Sequence, residues 1–341
     1  MRFLIYGAGA IGGYVGGNLA RAGQAVAFLA RGQTAAALRA DGLRLQLETG
    51  PVHLPSIAVF ETPAAAFAAD SYDVVVFALK SFDTAAALDE LRAAAAAPPP
   101  VLCLQNGVDN EAEIERALGP GRVIAGAVTT AVARRGAGEL VVERKRGVGV
   151  ALDHPLSRAV LEALNRAGLN ARGYASPGAL KWSKLLTNLV GNATSAILDL
   201  SVAEVFGDPR LFAVEAQMLR ECLAVMRARR LPVVDLPGTP VRALALAARL
   251  PAGLARPLLQ RGVGAARGGK RPSFHIDLHS GRGRTEVRWL NGAVVRHGAA
   301  CGVRTPVNAA LTETLEALSA GRLSLDELRG RPEALLKLIK P

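Results

Sequence analysis

MRFLIYGAGAIGGYVGGNLARAGQAVAFLAR, Met1 to Arg31, decides the fold. A short apolar run, Phe3 to Tyr6, leads into Gly7-Ala8-Gly9-Ala10-Ile11-Gly12; a helix-like stretch follows, then a second apolar run from Ala25 to Leu29. Strand, glycine-rich turn, helix, strand is the context in which G-x-G-x-x-G signals dinucleotide binding. In that reading Gly7 permits the tight turn, Gly9 lets the backbone approach a pyrophosphate, and Gly12 lets the helix pack close to the strand. The helix N-terminus offers free N–H groups and partial positive charge to the phosphates.

The end of the second strand chooses the cofactor. NAD enzymes usually carry Asp or Glu there to bond the ribose 2′-hydroxyl. This chain has Ala30-Arg31-Gly32 and no acid before Asp41. A guanidinium suits a 2′-phosphate, so NADP(H) is the expected cofactor and Arg31 its reader. The plainer reading is a solvated Arg at a strand end.

The 341 residues are long for one core and comfortable for two. A formal charge of +12 invites a nucleic-acid reading, but aromatics are only 4%, the basic residues are spread along the chain, and no nucleic-acid motif accompanies them. Cys103, Cys222 and Cys301 are too far apart for a disulfide framework or metal knuckle, which fits a reducing compartment. Arg2 followed by Phe3 to Ala20 superficially resembles a signal sequence or membrane span, but it holds six glycines and Asn18. The nucleotide fingerprint explains it better, and the expectation is a cytoplasmic protein with no membrane or specific nucleic-acid partner. Oligomeric state is left open, a homodimer included.

Further along, Leu43 to Leu47 reads as a strand and Asp73 to Leu79 as a buried strand of the parallel-sheet kind. A helix over Asp83 to Ala96 is stopped by Pro98-Pro99-Pro100; strands follow at Val101 to Leu104, Val123 to Ala127, Glu139 to Glu143 and Val148 to Leu152. This alternation marks a doubly wound α/β sheet, with ligands beyond the carboxyl ends of the strands, where Lys80, Asn106 and Thr129 sit. Beyond about Ser176 the pattern is helical only. Ser176-Pro177, Asp208-Pro209 and Thr305-Pro306 each read as a helix start. The expected architecture is an N-terminal Rossmann-type parallel-sheet domain, residues 1–172, followed by an all-α domain, residues 173–341. The active site is expected in the cleft between them. Pro232 to Arg271, rich in Pro, Gly and Arg, reads as holding a loop between helices.

The helix expected from Ser176 carries Lys184, Asn188 and Asn192. Spacing of four puts them on one face over about 12 Å. A second cluster runs through Pro272-Ser273-Phe274-His275-Ile276-Asp277 and Thr285-Glu286-Val287-Arg288-Trp289-Leu290-Asn291-Gly292. Alone, Ser273 would be an N-cap and Glu286 a first-turn acid. His275 and His279 have a spacing that can serve one metal, but there is no H-E-x-x-H and no clear third ligand, so no metal site is expected.

These pieces together resemble the ketopantoate reductase family, NADPH-dependent 2-dehydropantoate 2-reductases, over nearly the whole chain. The resemblance is carried by GAGAIGG, Arg31, ALKSFDT with Lys80, LQNGVDN with Asn106, TTAVARRGAG, KWSKLLTNLVGNATSAI, and PSFHIDL with TEVRWLNG. It implies that Lys184 is the general acid, and that Asn188, Asn192 and Ser273 are substrate ligands. Asn106 would stand where nicotinamide and substrate meet, and Glu286 would order cofactor and active site. Lys80 and Ala133 match family cofactor contacts. The implied partner is a small 2-oxo acid, and such chemistry suits a positioned ammonium that stabilises developing oxyanion charge and delivers a proton. The chain departs from the family's pattern near Val202, where some members carry another substrate Asn, and in a basic stretch containing Arg282, Arg284 and Arg288. Those departures admit a paralogue acting on another 2-oxo or 3-oxo acid. A non-catalytic NADP sensor is the reading from another class; it would not need Lys184.

Overall fold

A computed structural model describes residues 1–267, 271–279 and 283–339, the side chains of 262–267 aside. The chain divides into two compact units: Met1–Lys181 with Leu236–Thr239, and Trp182–Asp235 with Pro240–Pro341.

In the first unit the strands are β1 (Arg2–Tyr6), β2 (Ala25–Leu29), β3 (Leu43–Leu47), β4 (Gly50–Leu54), β5 (Ala58–Phe60), β6 (Val74–Phe77), β7 (Val101–Cys103), β8 (Val123–Val128), β9 (Ala131–Gly136), β10 (Glu139–Arg144), β11 (Val148–Ala151) and β12 (Ala171–Tyr174). The helices are α1 (Ala10–Arg21), α2 (Gly32–Asp41), α3 (Pro63–Ala69), α4 (Thr84–Ala94), α5 (Asn110–Leu118) and α6 (Ser157–Arg166). Eight strands form one sheet in the order β12-β11-β8-β7-β6-β1-β2-β5. From β5 to β8 every pairing is parallel. That segment has the strand order of a dinucleotide-binding sheet, with its reversal point between β1 and β6.

Antiparallel pairs join the parallel sheet in two places. β11 runs antiparallel to β8, and a second sheet, β4-β3-β10-β9, contains two antiparallel pairs. The β3–β4 and β9–β10 connections are short, and short connections can only make hairpins.

β1 shows how the sheet is held. Phe3 and Ile5 enter a core with Val15, Leu19, Leu43 and Leu140, while Leu4 and Tyr6 enter another with Phe77, Leu88 and Ile114. Alternate residues of a strand point to opposite faces, so a continuous apolar run serves two cores at once. Each such side chain contributes about 1.5–3 kcal/mol on full burial.

The second unit is helical: α7 (Pro177–Leu189, begun in the first unit), α8 (Asn192–Leu198), α9 (Val202–Gly207), α10 (Pro209–Ala228), α11 (Val241–Arg249), α12 (Ala252–Arg267), α13 (Ser273–His279), α14 (Asn291–Ala300), α15 (Pro306–Ser319), α16 (Leu325–Leu328) and α17 (Pro332–Leu338). Two of the three expected caps act through their side chains. Ser176 Oγ accepts from the Ala179 N–H at 3.1 Å, and Asp208 from the Arg210 N–H at 2.7 Å. Thr305 makes no such bond. The start of α15 is held instead by the buried Glu221 of α10, whose carboxylate accepts from the Val307 and Asn308 N–H groups, both at 3.0 Å. The Pro232 to Arg271 segment is largely helical, as α11 and α12, because runs of Ala and Leu outweigh its prolines. No helix among the described residues is long and apolar enough to cross a membrane.

The single helix expected to carry Lys184, Asn188 and Asn192 is in fact two. α7 stops at Leu189 and α8 starts at Asn192. Gly191 between them takes φ +59°, and its N–H donates to the buried Glu215 carboxylate at 2.7 Å. A Cβ there would lie 2.7 Å from Val202 Cγ1, so both space and dihedral call for glycine.

Candidate active site

The fingerprint turn occupies the reversal point of the sheet. Gly7 follows β1 with φ +104°, and a Cβ on Gly12 would lie 1.9 Å from the Gly7 carbonyl oxygen. Ala10, Ile11 and Gly12 open α1, with Gly9 as its N-cap and no side chain bonded to the first N–H groups. A cleft of about 200 Å³ is lined by Tyr6, Gly7, Ala8, Gly9, Arg31, Thr34, Glu61 and Arg134, among others. A turn that admits no Cβ at Gly12, a helix start with no side-chain cap and two guanidiniums in one cleft fit a phosphorylated dinucleotide.

Arg31 is held on the cleft wall by the Glu90 carboxylate, and its Nε donates to the Glu61 carbonyl at 3.2 Å. Glu90 also accepts from the Tyr6 hydroxyl. Burial, then the Glu90 carboxylate, push the Tyr6 phenol above its ordinary pKa and keep it a donor. Arg134, missed in the sequence, donates to Thr34 Oγ1 at 3.1 Å. Ala133, its neighbour on β9, is not among the residues lining the cleft. Strand alternation turns adjacent side chains to opposite faces, and that signal points to Arg134 once β9 is recognised.

Lys80 and Asn106 follow β6 and β7, and the structure ties their loops together. Gln105 Nε2 donates to Thr84 Oγ1 at 2.8 Å and to the Lys80 carbonyl at 3.4 Å. The Asn106 carbonyl accepts from Ser81 Oγ at 2.9 Å and Asn110 Nδ2 at 2.6 Å. Thr129 is spent elsewhere: its hydroxyl donates to the Gly147 and Pro237 carbonyls.

In the helical unit, burial isolates the polar row. From residue 179 to 198, every residue is buried except Lys184, Thr187 and Asn188. Thr187 Oγ1 donates back to the Lys184 carbonyl at 2.8 Å, and Lys184 and Asn188 are the other half-buried residues of this face of α7. Asn192, no longer on that helix, pairs with the second cluster: its Nδ2 donates to Ser273 Oγ at 3.2 Å, and its Oδ1 accepts from the Phe274 N–H at 3.0 Å. Asn192 thus fixes the start of α13 and leaves Ser273 exposed beside it. Glu286 is buried at the head of the short 3-10 turn Val287–Trp289, where its carbonyl accepts from the Trp289 N–H at 2.9 Å. Arg284 and Arg288 are exposed, and Arg282 lies outside the described residues.

Sequence reasoning also passed over Lys181, one turn before Lys184. Its side chain is 4% exposed; Nζ meets Glu111 Oε1 at 2.7 Å and donates to the Gln105 carbonyl at 2.7 Å. Of the two lysines in KWSK, Lys181 is therefore buried, and Lys184 is half-buried. A larger hollow of about 400 Å³ beside α12 has little chemistry to offer. Its polar side chains, Arg256 and Gln260, already donate to the Phe206 and Gly207 carbonyls.

Comparison with known proteins bears on the same two parts of the chain. The family profile described as Ketopantoate reductase PanE/ApbA matches residues 3–151, and that of its C-terminal part matches residues 179–319. The chain belongs to the ketopantoate reductase family. Among ketopantoate reductases, the 2-dehydropantoate 2-reductase of Halobacterium salinarum is 29% identical over 316 residues, 90% of this chain and 95% of that protein. The crystal structure of a PanE/ApbA family ketopantoate reductase from Ralstonia eutropha JMP134 superposes with a TM-score of 0.80 at 29% identity, covering 94% of this chain and 99% of that one. The fold alone is shared with a D-mandelate dehydrogenase solved with NADH and anilino(oxo)acetate, at a TM-score of 0.77 and 22% identity over 96% of this chain and 100% of that one. Membership in the ketopantoate reductase family makes the chain an oxidoreductase with an NAD(P)-binding Rossmann fold.

Proposed function

We propose that the protein reduces 2-dehydropantoate to pantoate with NADPH, taking the proton from Lys184. The observation that carries the reading is the isolated row on α7, an ammonium and an amide left accessible in twenty otherwise buried residues save Thr187. Hydride delivered to a 2-oxo carbon leaves negative charge on its oxygen, and bound NADPH supplies that hydride. Lys184 stabilises the charge and gives up a proton, a role suited to a half-buried ammonium. Asn188 and Ser273 offer neutral hydrogen bonds to hydroxyl and carboxylate groups, with Asn192 holding Ser273 in place. Gly7 to Gly12, Arg31, Lys80, Asn106 and Glu286 are assigned to the cofactor, with Arg134 in the cleft beside Ala133 on the same strand and Arg31 reading the 2′-phosphate. Cofactor and substrate residues are thus shared between residues 1–172 and 173–341, and neither part alone is expected to turn over substrate. Widely spaced cysteines support a place in the cytoplasm.

The test is turnover of purified protein with NADPH against a panel of 2-oxo acids, followed by loss of reduced-nicotinamide absorbance. A site built to bond a substrate hydroxyl rejects the analogue that lacks it, because its polar groups are left unpaired. Ketopantoate carries a 4-hydroxyl and 2-oxoisovalerate does not, so kcat/KM should strongly favour ketopantoate. Comparable values, or no turnover of ketopantoate, would favour a paralogue for another oxo acid. The exposed Arg284 and Arg288 are the observation in that reading's favour.

A further inference from the structure

Two histidines that sequence alone left without a partner acquire one in the fold. His275 and His279 stand four apart on α13, so both imidazoles leave the same side of the helix. Their rings stack with centroids 4.1 Å apart and planes inclined by 22°. Both Nε2 atoms face the end of α8. His275 Nε2 lies 2.6 Å from Asp199 Oδ1, and His279 Nε2 lies 3.3 Å from the Ala196 carbonyl oxygen. Asp199 follows α8 directly and takes φ +52°, a conformation uncommon outside glycine. One ligand atom from each of Asp199, His275 and His279 lies within 4.8 Å of the others.

We propose that Asp199, His275 and His279 bind one divalent transition-metal ion, with zinc the ion best matched to the donors. Two imidazole nitrogens and one carboxylate oxygen form a three-ligand set that zinc accepts, with a fourth position for water or the Ala196 carbonyl. Closure onto an ion requires small movements, since the three atoms already converge. The ion takes the place of the hydrogen bond between His275 Nε2 and Asp199, the neutral imidazole carrying its one N–H on Nδ1 instead. Arg329 Nε, 3.2 Å from Asp199 Oδ2, and Arg271 Nη1, 3.5 Å from Oδ1, hold the carboxylate in the metal-free state and compete for it. The ion would clip α8 to α13 at one end, while the Asn192–Ser273 contact joins them at the other. Its role is therefore to fix a pair of short helices, and the reductase reading does not depend on it.

The experiment uses full-length protein without a polyhistidine tag, stripped with chelator, and titrated with Zn²⁺ by calorimetry and with Co²⁺ by visible absorption. The expected result is one ion per chain, visible Co²⁺ bands of a low-coordinate nitrogen–oxygen site, and a thermal midpoint raised by about 5 °C at saturating zinc. His279→Gln and Asp199→Asn should each weaken binding at least tenfold and abolish the bands. His53→Gln, at an exposed histidine in the first unit, should change neither. Arg329→Gln should tighten binding by removing a competitor. Circular dichroism of the stripped variants identifies any that fails to fold, and the other ligand variant then decides. Absence of a bound ion at micromolar zinc, or binding that survives both ligand substitutions, overturns the proposal.

Discussion

The glycine turn of the first unit and the polar cluster of the second are built in opposite ways. The turn is mostly local: Gly7 to Gly12 are contiguous and Gly12 is pressed by the Gly7 carbonyl, with Ala78 and Leu79 after β6 the distant neighbours that crowd Gly7. The cluster is assembled across the chain. Asn192 meets Ser273 over 81 residues, and Gly191 is held by Glu215 over 24. A local device tolerates change elsewhere, whereas a distributed one depends on packing far from the chemistry. The same contrast separates Arg31, more than half exposed, from Asn192, 3% exposed.

The largest effect that would sharpen the contrast belongs to Lys184. Lys184→Ala should lower kcat by about 10²–10⁴-fold, the usual scale for a general acid, with NADPH affinity retained. Activity should fall on the alkaline side as the ammonium deprotonates. Near-normal kcat in the variant would return Lys184 to the surface. Next comes Asn192→Ala, which strands the buried Phe274 N–H at a cost of about 1–3 kcal/mol. Denaturant melts should show that loss, together with a raised KM for the oxo acid. A raised KM without lost stability would mean that Asn192 serves substrate alone.

Arg31→Ala tests the local side. A charge-assisted pair is worth about 1.5–3 kcal/mol, and for so exposed a guanidinium about tenfold weaker NADPH binding is expected, with NADH unchanged. Equal weakening of both would show that Arg31 does not read the 2′-phosphate. Glu90→Gln should act in the opposite sense, tightening NADPH by a few-fold as it frees Arg31.

The smallest effect is a pH slope. Burial raises the Glu221 carboxyl above its ordinary 4.5 despite its hydrogen bonds. The folded state therefore holds that proton more tightly than the unfolded chain. The stability this contributes is complete below 4.5 and is lost as pH rises through the folded value. The difference in thermal midpoint between wild type and Glu221→Gln should shrink over that interval. A difference that grows with pH would mean that Glu221 is ionised throughout as the cap of α15.

Much of the local half could be read in advance. β2 and β3 run over the residues expected from their apolar patterns, and β1 differs by one residue. Alternation and turn glycines act over a few positions, and a sequence displays them directly. The break between α7 and α8 could not be read this way. Gly191 is tolerable in a helix, and what ends α7 there is a carboxylate on α10. Asp199 was invisible as a partner of His275 for the same reason, since 76 residues separate them. Nor does KWSK reveal that Lys181 is buried against an acid, because Glu111 and the Gln105 carbonyl reach it from elsewhere in the sheet unit. Pattern reports which face is buried, whereas pairing partners depend on tertiary contacts.

One consequence of α10 concerns the order of events when the helical unit opens. Its two buried acids hold amides on other elements: Glu215 that of Gly191, and Glu221 those of Val307 and Asn308. Those three amides lose their acceptors together when α10 leaves, although Gly191 lies more than a hundred residues from the other two in the chain. In native-state hydrogen exchange they should behave as one foldon, exchanging with a common opening free energy and sharing a denaturant dependence with the middle of α10.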